Sequence, residues 1–131
     1  MSERNEIVGA DYWDRKWRNP APLRALSEKD SRYGRNGVFR RAMERRLGAL
    51  AGKTLLEIGG GGPNYMLLSL VKWAGARATV IDYSQPGLEL LSRLFERNGC
   101  AVEVLLGDAL LHDFRERRFD IVTHFGVIEH V

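Results

Sequence analysis

The chain has 131 residues, 44% hydrophobic and 28% charged, which is enough apolar material for one core and an ordinary balance for a globular domain. No apolar run approaches the roughly 20 residues that span a bilayer. The leading MSERNEIVGADYWDRKWRNP has no signal-peptide core, and Cys100 stands alone, which excludes an internal disulfide and makes a cytoplasmic setting the expectation. The net charge of +3 divides into 12 Lys and Arg against 7 Asp and Glu in residues 1–50, and 8 against 10 in residues 51–131. The arginines of the first part alternate with apolar residues at helical spacing, as on a solvated helix face, so a nucleic-acid partner is not expected.

Residues 1–52 read as an amino-terminal helical cap segment. Tyr12, Trp13 and Trp17 suit a short helix with both tryptophans on one face. Phe39, Met43, Leu47 and Leu50 form an apolar stripe from Val38 to Leu50, and a stop near Gly52 completes an amphipathic helix. From residue 53 the rhythm becomes strand–helix alternation. TLLEIG (54–59) reads as a buried strand, and a helix follows to about Trp73 with Pro63 in its first turn. ATVID (78–82) is a second strand, and a helix from about Pro86 to Arg97 places Leu88, Leu91, Leu94 and Phe95 on one side. AVEVLLGD (101–108) and FDIVTHF (119–125) are a third and a fourth strand. Alternation with near-continuous apolar strands predicts an α/β fold, a parallel sheet with helices on both faces.

The densest chemical signal is LLEIGGGGPNYM (55–66), in which a strand, four glycines and a helix start follow one another. Side-chain-free residues let a backbone approach a ligand, and a helix amino terminus offers unpaired N–H groups. A ligand-free tight turn has no use for four glycines, each costing roughly 0.5–1 kcal/mol of chain entropy. Against the dinucleotide fingerprint G-x-G-x-x-G, Asn64 stands where the third glycine belongs, and Glu57 would repel a pyrophosphate. A ligand with an ammonium and a sulfonium suits Glu57 better, and S-adenosylmethionine has both.

The string Glu57-Ile58-Gly59-Gly60-Gly61-Gly62 resembles the first motif of class I, Rossmann-like methyltransferases, E/D-x-G-x-G-x-G, with Pro63 replacing the third glycine. The resemblance covers residues 53–131 and implies an S-adenosylmethionine-binding domain with residue roles. Glu57, Gly59, Gly60 and Gly61 would form the cofactor loop, and Asp82 would accept from the ribose hydroxyls. Tyr83 would pack on adenine, Asp108 and the N–H of Ala109 would meet the adenine edge, and His124 and Phe125 would line the methionine end. The family sheet has seven strands, of which four are found, so the chain resembles the amino-terminal part of such an enzyme.

For the chemistry, His130 in IEHV is the candidate general base, a helix-face role being its alternative; His124 is the weaker candidate, and His112 is read as an exposed turn residue without a role. Tyr12, Trp13 and Trp17 either cover the site as a lid or pack the front segment onto the sheet. Arg32, Tyr33 and Arg35 are candidates to meet a polar or anionic substrate. The expected activity is methyl transfer to a small-molecule acceptor, at oxygen; no metal is expected. The alternative is a catalytically silent cofactor-binding module that associates with itself or a partner chain through the sheet edge left open after the fourth strand.

Overall fold

The computed structural model describes residues 9–18, 20–27, 29 and 34–125. Among the described residues, helices α1 (Ala10–Trp17) and α2 (Arg35–Leu47) precede the sheet. The order is then β1 (Thr54–Ile58), α3 (Tyr65–Lys72), β2 (Arg77–Asp82), α4 (Gln85–Arg97), β3 (Glu103–Leu106) and β4 (Ile121–His124). The four strands form one parallel sheet in the order β3-β2-β1-β4. The Rossmann-like α/β expectation is met. The chain builds outward from β1 to β3 and then crosses to the far side of β1, so the strand order reverses beside β1, where open α/β sheets bind ligands at their carboxyl ends.

Register assigns the faces. Leu55, Glu57, Val80 and Thr123 share one face, and Leu56, Ile81, Val122 and His124 share the other. Helices α3 and α4 both pack on the first. Leu67, Leu68 and Leu70 of α3 and Leu88, Leu91, Leu94 and Phe95 of α4 join Leu55, Ala78 and Val80 in one core. Each of these large side chains contributes roughly 1.5–3 kcal/mol by leaving water. Helices on both faces were expected; among the described residues the second face is covered over Leu56 and Ile81 and open at Val122, which is 57% exposed. The segment between β3 and β4 supplies part of that cover, since a Cβ on Gly107 would meet His112 Nδ1 and Ile81 Cδ1 within 4.0 Å. His112 is thereby half-buried, with its ring 4.5 Å from that of Phe114, and not the exposed turn residue expected.

Caps set the helix limits. The Asn64 side chain accepts from Leu67 N–H at 3.0 Å, so α3 begins after Asn64, and Pro63 belongs to the preceding turn and not to the helix. Ser84 caps α4 by accepting from Gly87 N–H at 3.2 Å, and Asn98 with Gly99 (φ 68°) ends it, as read from the sequence. Helix α2 stops at Leu47, earlier than expected, because Gly48 adopts φ 78°. Leu50 is consequently a connector residue, 1% exposed in the core, while Leu47 on the helix is 45% exposed.

Two polar ties fix the remaining pieces. Asp120 Oδ2 accepts from Thr54 N–H at 2.8 Å, and Asp120 N–H donates to Thr54 Oγ1 at 3.0 Å, which pins β4 to β1 in register. Asn98 Oδ1 accepts from Leu26 N–H at 2.8 Å, and its amide donates to Leu94 O at 2.9 Å, which seats the front segment on the end of α4.

Candidate functional site

The glycine loop runs from the end of β1 to the start of α3. Gly59 (φ 75°) donates to Ile81 O at 2.8 Å, and Gly62 (φ 90°) donates to Gly87 O at 2.8 Å, so the loop is bonded at both ends to β2 and to the first turn of α4. Between these anchors it lies flat on two carboxylates. A Cβ on Gly60 would stand 2.1 Å from Glu57 Oε2, and one on Gly61 would stand 2.7 Å from Asp82 Oδ2. No side chain fits at either position, which is a physical reason for glycine there.

Glu57 lies beneath this loop and not open to solvent, 1% exposed. One carboxylate oxygen accepts from the Asn64 amide and the other from Thr123 Oγ1 at 3.3 Å. Burial pushes its pKa from the ordinary 4.5 up to about 7, against the opposing pull of the hydrogen bonds from Asn64 and Thr123. Burial therefore favours the neutral form of Glu57 far more than at an exposed carboxyl. Asn64, noted in the sequence only as a departure from the dinucleotide pattern, both caps α3 and holds this carboxylate. Neither Thr123 nor this second use of Asn64 was anticipated. The cap itself had a signal, an Asn immediately before the apolar run of α3.

Asp82 ends β2 and is 8% exposed. Its Oδ2 accepts from Gly61 N–H and its Oδ1 from Ser84 N–H, both at 2.9 Å. Burial raises its pKa; the backbone N–H groups of Ser84, Gly61 and Tyr83 pull it down, and the nearby Asp14 charge adds to the rise. A carboxylate has about four acceptor directions, and these three N–H groups leave one of them for a further donor such as a ligand hydroxyl. Tyr83, 38% exposed, follows Asp82 and is hydrogen-bonded by Trp13.

At the end of β3, Gly107 N–H donates to Asp82 O at 2.9 Å, which brings the 107–109 turn beside β2. Asp108 Oδ1 accepts from Leu110 N–H at 2.9 Å in a short turn, and the following Ala109 is half-buried. His124 pairs with Ile58 across β4 and β1 and is exposed, and Phe125 lies at the same end with its ring 5.0 Å from that of Phe39 of α2. The four strands thus bring Glu57, the glycines, Asp82, Tyr83, Asp108, Ala109, His124 and Phe125 to one edge of the sheet. His130, Arg32 and Tyr33 lie outside the described residues, and Arg35 is exposed at the first position of α2. Among the described residues, no cluster of three or more His, Cys, Asp or Glu is arranged to hold a metal, and no helix is long and apolar enough to cross a membrane.

A glycine loop between two carboxyl-bearing strand ends, beside the reversal of strand order, defines a Rossmann-like ligand-binding domain. The chain belongs to the methyltransferase-domain family, whose sequence profile matches residues 55–131. No curated protein matches the sequence.

Solved structures resemble it in fold. An S-adenosylmethionine-dependent methyltransferase from Geobacter sulfurreducens, in complex with S-adenosylhomocysteine, superposes with a TM-score of 0.63 at 21% identity over 91% of this chain and 44% of that one. The corresponding enzyme from Thiobacillus denitrificans, also with S-adenosylhomocysteine, gives 0.57 at 22% identity over 79% and 45%. Coclaurine N-methyltransferase, bound to N-methylheliamine and S-adenosylhomocysteine, gives 0.57 at 19% identity over 80% and 30%. The chain therefore spans less than half the length of each of these three structures.

Proposed function

We propose that the loop edge binds S-adenosylmethionine, and that the protein to which this domain belongs transfers its methyl group to a small-molecule acceptor, at oxygen. The observation that carries the cofactor reading is the cradle itself. Gly60 and Gly61 lie on Glu57 and Asp82 with no room for a side chain, and Asp82, held by three backbone N–H groups, keeps one acceptor direction for a ligand hydroxyl. Asp82 would hold the ribose hydroxyls, Tyr83 would pack on adenine, and Asp108 with the N–H of Ala109 would meet its edge. Gly59, Gly60 and Gly61 let the cofactor approach the backbone, and Glu57 acts from below by holding the loop through Asn64. His124 and Phe125 border the methionine end.

The bound cofactor supplies an electrophilic methyl carbon, and the protein's share of the work is chiefly orientation and exclusion of water. His130 is the proposed base for an acceptor hydroxyl. Residues 53–131 form the cofactor domain and residues 1–52 its cap. The S-adenosylhomocysteine in the Geobacter and Thiobacillus enzymes supports the cofactor, and the small amine held by coclaurine N-methyltransferase supports a small acceptor.

A second reading, a cofactor-binding module completed by a partner chain, is favoured by the exposed Val122 on β4. Calorimetric titration with S-adenosylhomocysteine, with NADH alongside, tests the cofactor. Micromolar binding of the first alone, about −8 kcal/mol, is expected. Tight NADH binding instead would overturn the reading.

A further inference from the structure

Helix α1 lies outside the strand–helix alternation, yet it engages the site's framework at three points. The Trp17 indole sits in a notch that two glycines leave open. A Cβ on Gly62 would stand 2.6 Å from Trp17 Cζ2, and one on Gly87 would stand 2.8 Å from its Cδ1. Directly there, Gly62 N–H donates to Gly87 O at 2.8 Å, so the indole covers the hydrogen bond that joins the glycine loop to α4. Ser84 Oγ donates to Asp14 Oδ1 at 2.8 Å, and the same hydroxyl accepts from Gly87 N–H at 3.2 Å. Ser84 is fully buried, and its own N–H donates to Asp82 Oδ1. Trp13 stacks on Trp17 with ring centroids 6.3 Å apart and hydrogen-bonds Tyr83.

We propose that Trp17 and Asp14 are positioning residues for the cofactor site, clamping the glycine loop to the β2–α4 turn so that the loop amides and the Asp82 carboxylate keep one geometry. The inference rests on the cofactor reading above. Its physical content is a short chain of contacts. Trp17 shields one loop-to-helix hydrogen bond, and Asp14 orients the Ser84 hydroxyl, whose backbone in turn orients Asp82. Neither α1 residue needs to touch the ligand. Large side chains are poor occupants of a loop-facing surface unless a recess receives them, and glycine at both 62 and 87 creates that recess.

The test is titration of the chain with S-adenosylhomocysteine, with the unfolding midpoint of each unliganded variant measured in parallel. Trp17→Ala is expected to weaken the Kd by roughly 3- to 30-fold, the range for residues that act on a site without contacting its ligand. Trp17→Phe, which keeps a ring in the notch, restores most of the affinity. Asp14→Ala weakens binding in the same direction. Gly87→Ala, whose methyl displaces the indole, weakens binding in the parent chain and adds little to Trp17→Ala. Wild-type affinity in Trp17→Ala overturns the proposal, as does a loss that follows the unfolding midpoint and is not restored by Phe. Failure of the parent chain itself to bind overturns the cofactor reading instead, which keeps the two failures distinct.

Discussion

Glu57→Gln isolates the cost of the buried acid beneath the glycine loop. Folding raises the pKa of this carboxyl from 4.5 to about 7, chiefly by burial. Below pH 4.5 the group is protonated in both states and contributes no pH dependence. Between pH 4.5 and 7 the unfolded chain has released the proton while the folded chain still holds it, so stability falls as pH rises. Above pH 7 the full difference applies, about 3 kcal/mol at about 1.4 kcal/mol for each tenfold change in proton affinity. Glutamine keeps the shape and an acceptor for the Asn64 amide, and its own N–H can donate to Thr123 Oγ1.

The variant should match the parent near pH 4.5 and exceed it by up to about 3 kcal/mol at pH 8. Asp82, whose pKa is raised in the same direction, is common to both proteins and cancels in the comparison. Urea denaturation of parent and variant between pH 4 and 8.5 reads this directly. A pH-independent difference, or a parent more stable than the variant at pH 8, would refute a neutralised Glu57.

Two other substitutions test the same framework. Asn64→Ala removes the α3 cap and the amide that holds Glu57, and should cost about 1–2 kcal/mol in denaturant unfolding; an unchanged midpoint would contradict the double role. Gly60→Ala forces a methyl against Glu57 and should destabilise by about 1–3 kcal/mol while abolishing S-adenosylhomocysteine binding. A variant that binds normally would show that the loop does not rest on the acid.

The local features of this fold were legible because they are written locally. The apolar runs 54–58 and 78–82, the stripe Leu88, Leu91, Leu94 and Phe95, and the stop at Asn98-Gly99 each carry their own period or cap. The gathering of Glu57, Asp82 and Asp108 at one sheet edge followed from their places at successive strand ends. Other features depend on residues distant in sequence. Thr123 reaches Glu57 because the register sets β4 beside β1, and Trp17 finds Gly62 and Gly87 only once α1 has docked. The early end of α2 had a local sign in Gly48, which interrupts the apolar stripe between Leu47 and Leu50. The expectation of helices on both faces assumed that apolar strands are covered all round. Val122 and Leu106, each 57% exposed, show that burial of the central strands does not extend to their neighbours.

The central claim is that the glycine loop and Asp82 form the cofactor site. It is tested most directly by following backbone amide resonances during titration with S-adenosylhomocysteine, in the parent chain and in Asp82→Ala. The largest shifts in the parent are predicted at Gly59 to Gly62, Tyr83 and Ala109, with saturation at micromolar ligand, and the same additions should leave the variant's spectrum unchanged. Shifts centred elsewhere, or a parent titration that survives loss of the Asp82 carboxylate, would contradict the account.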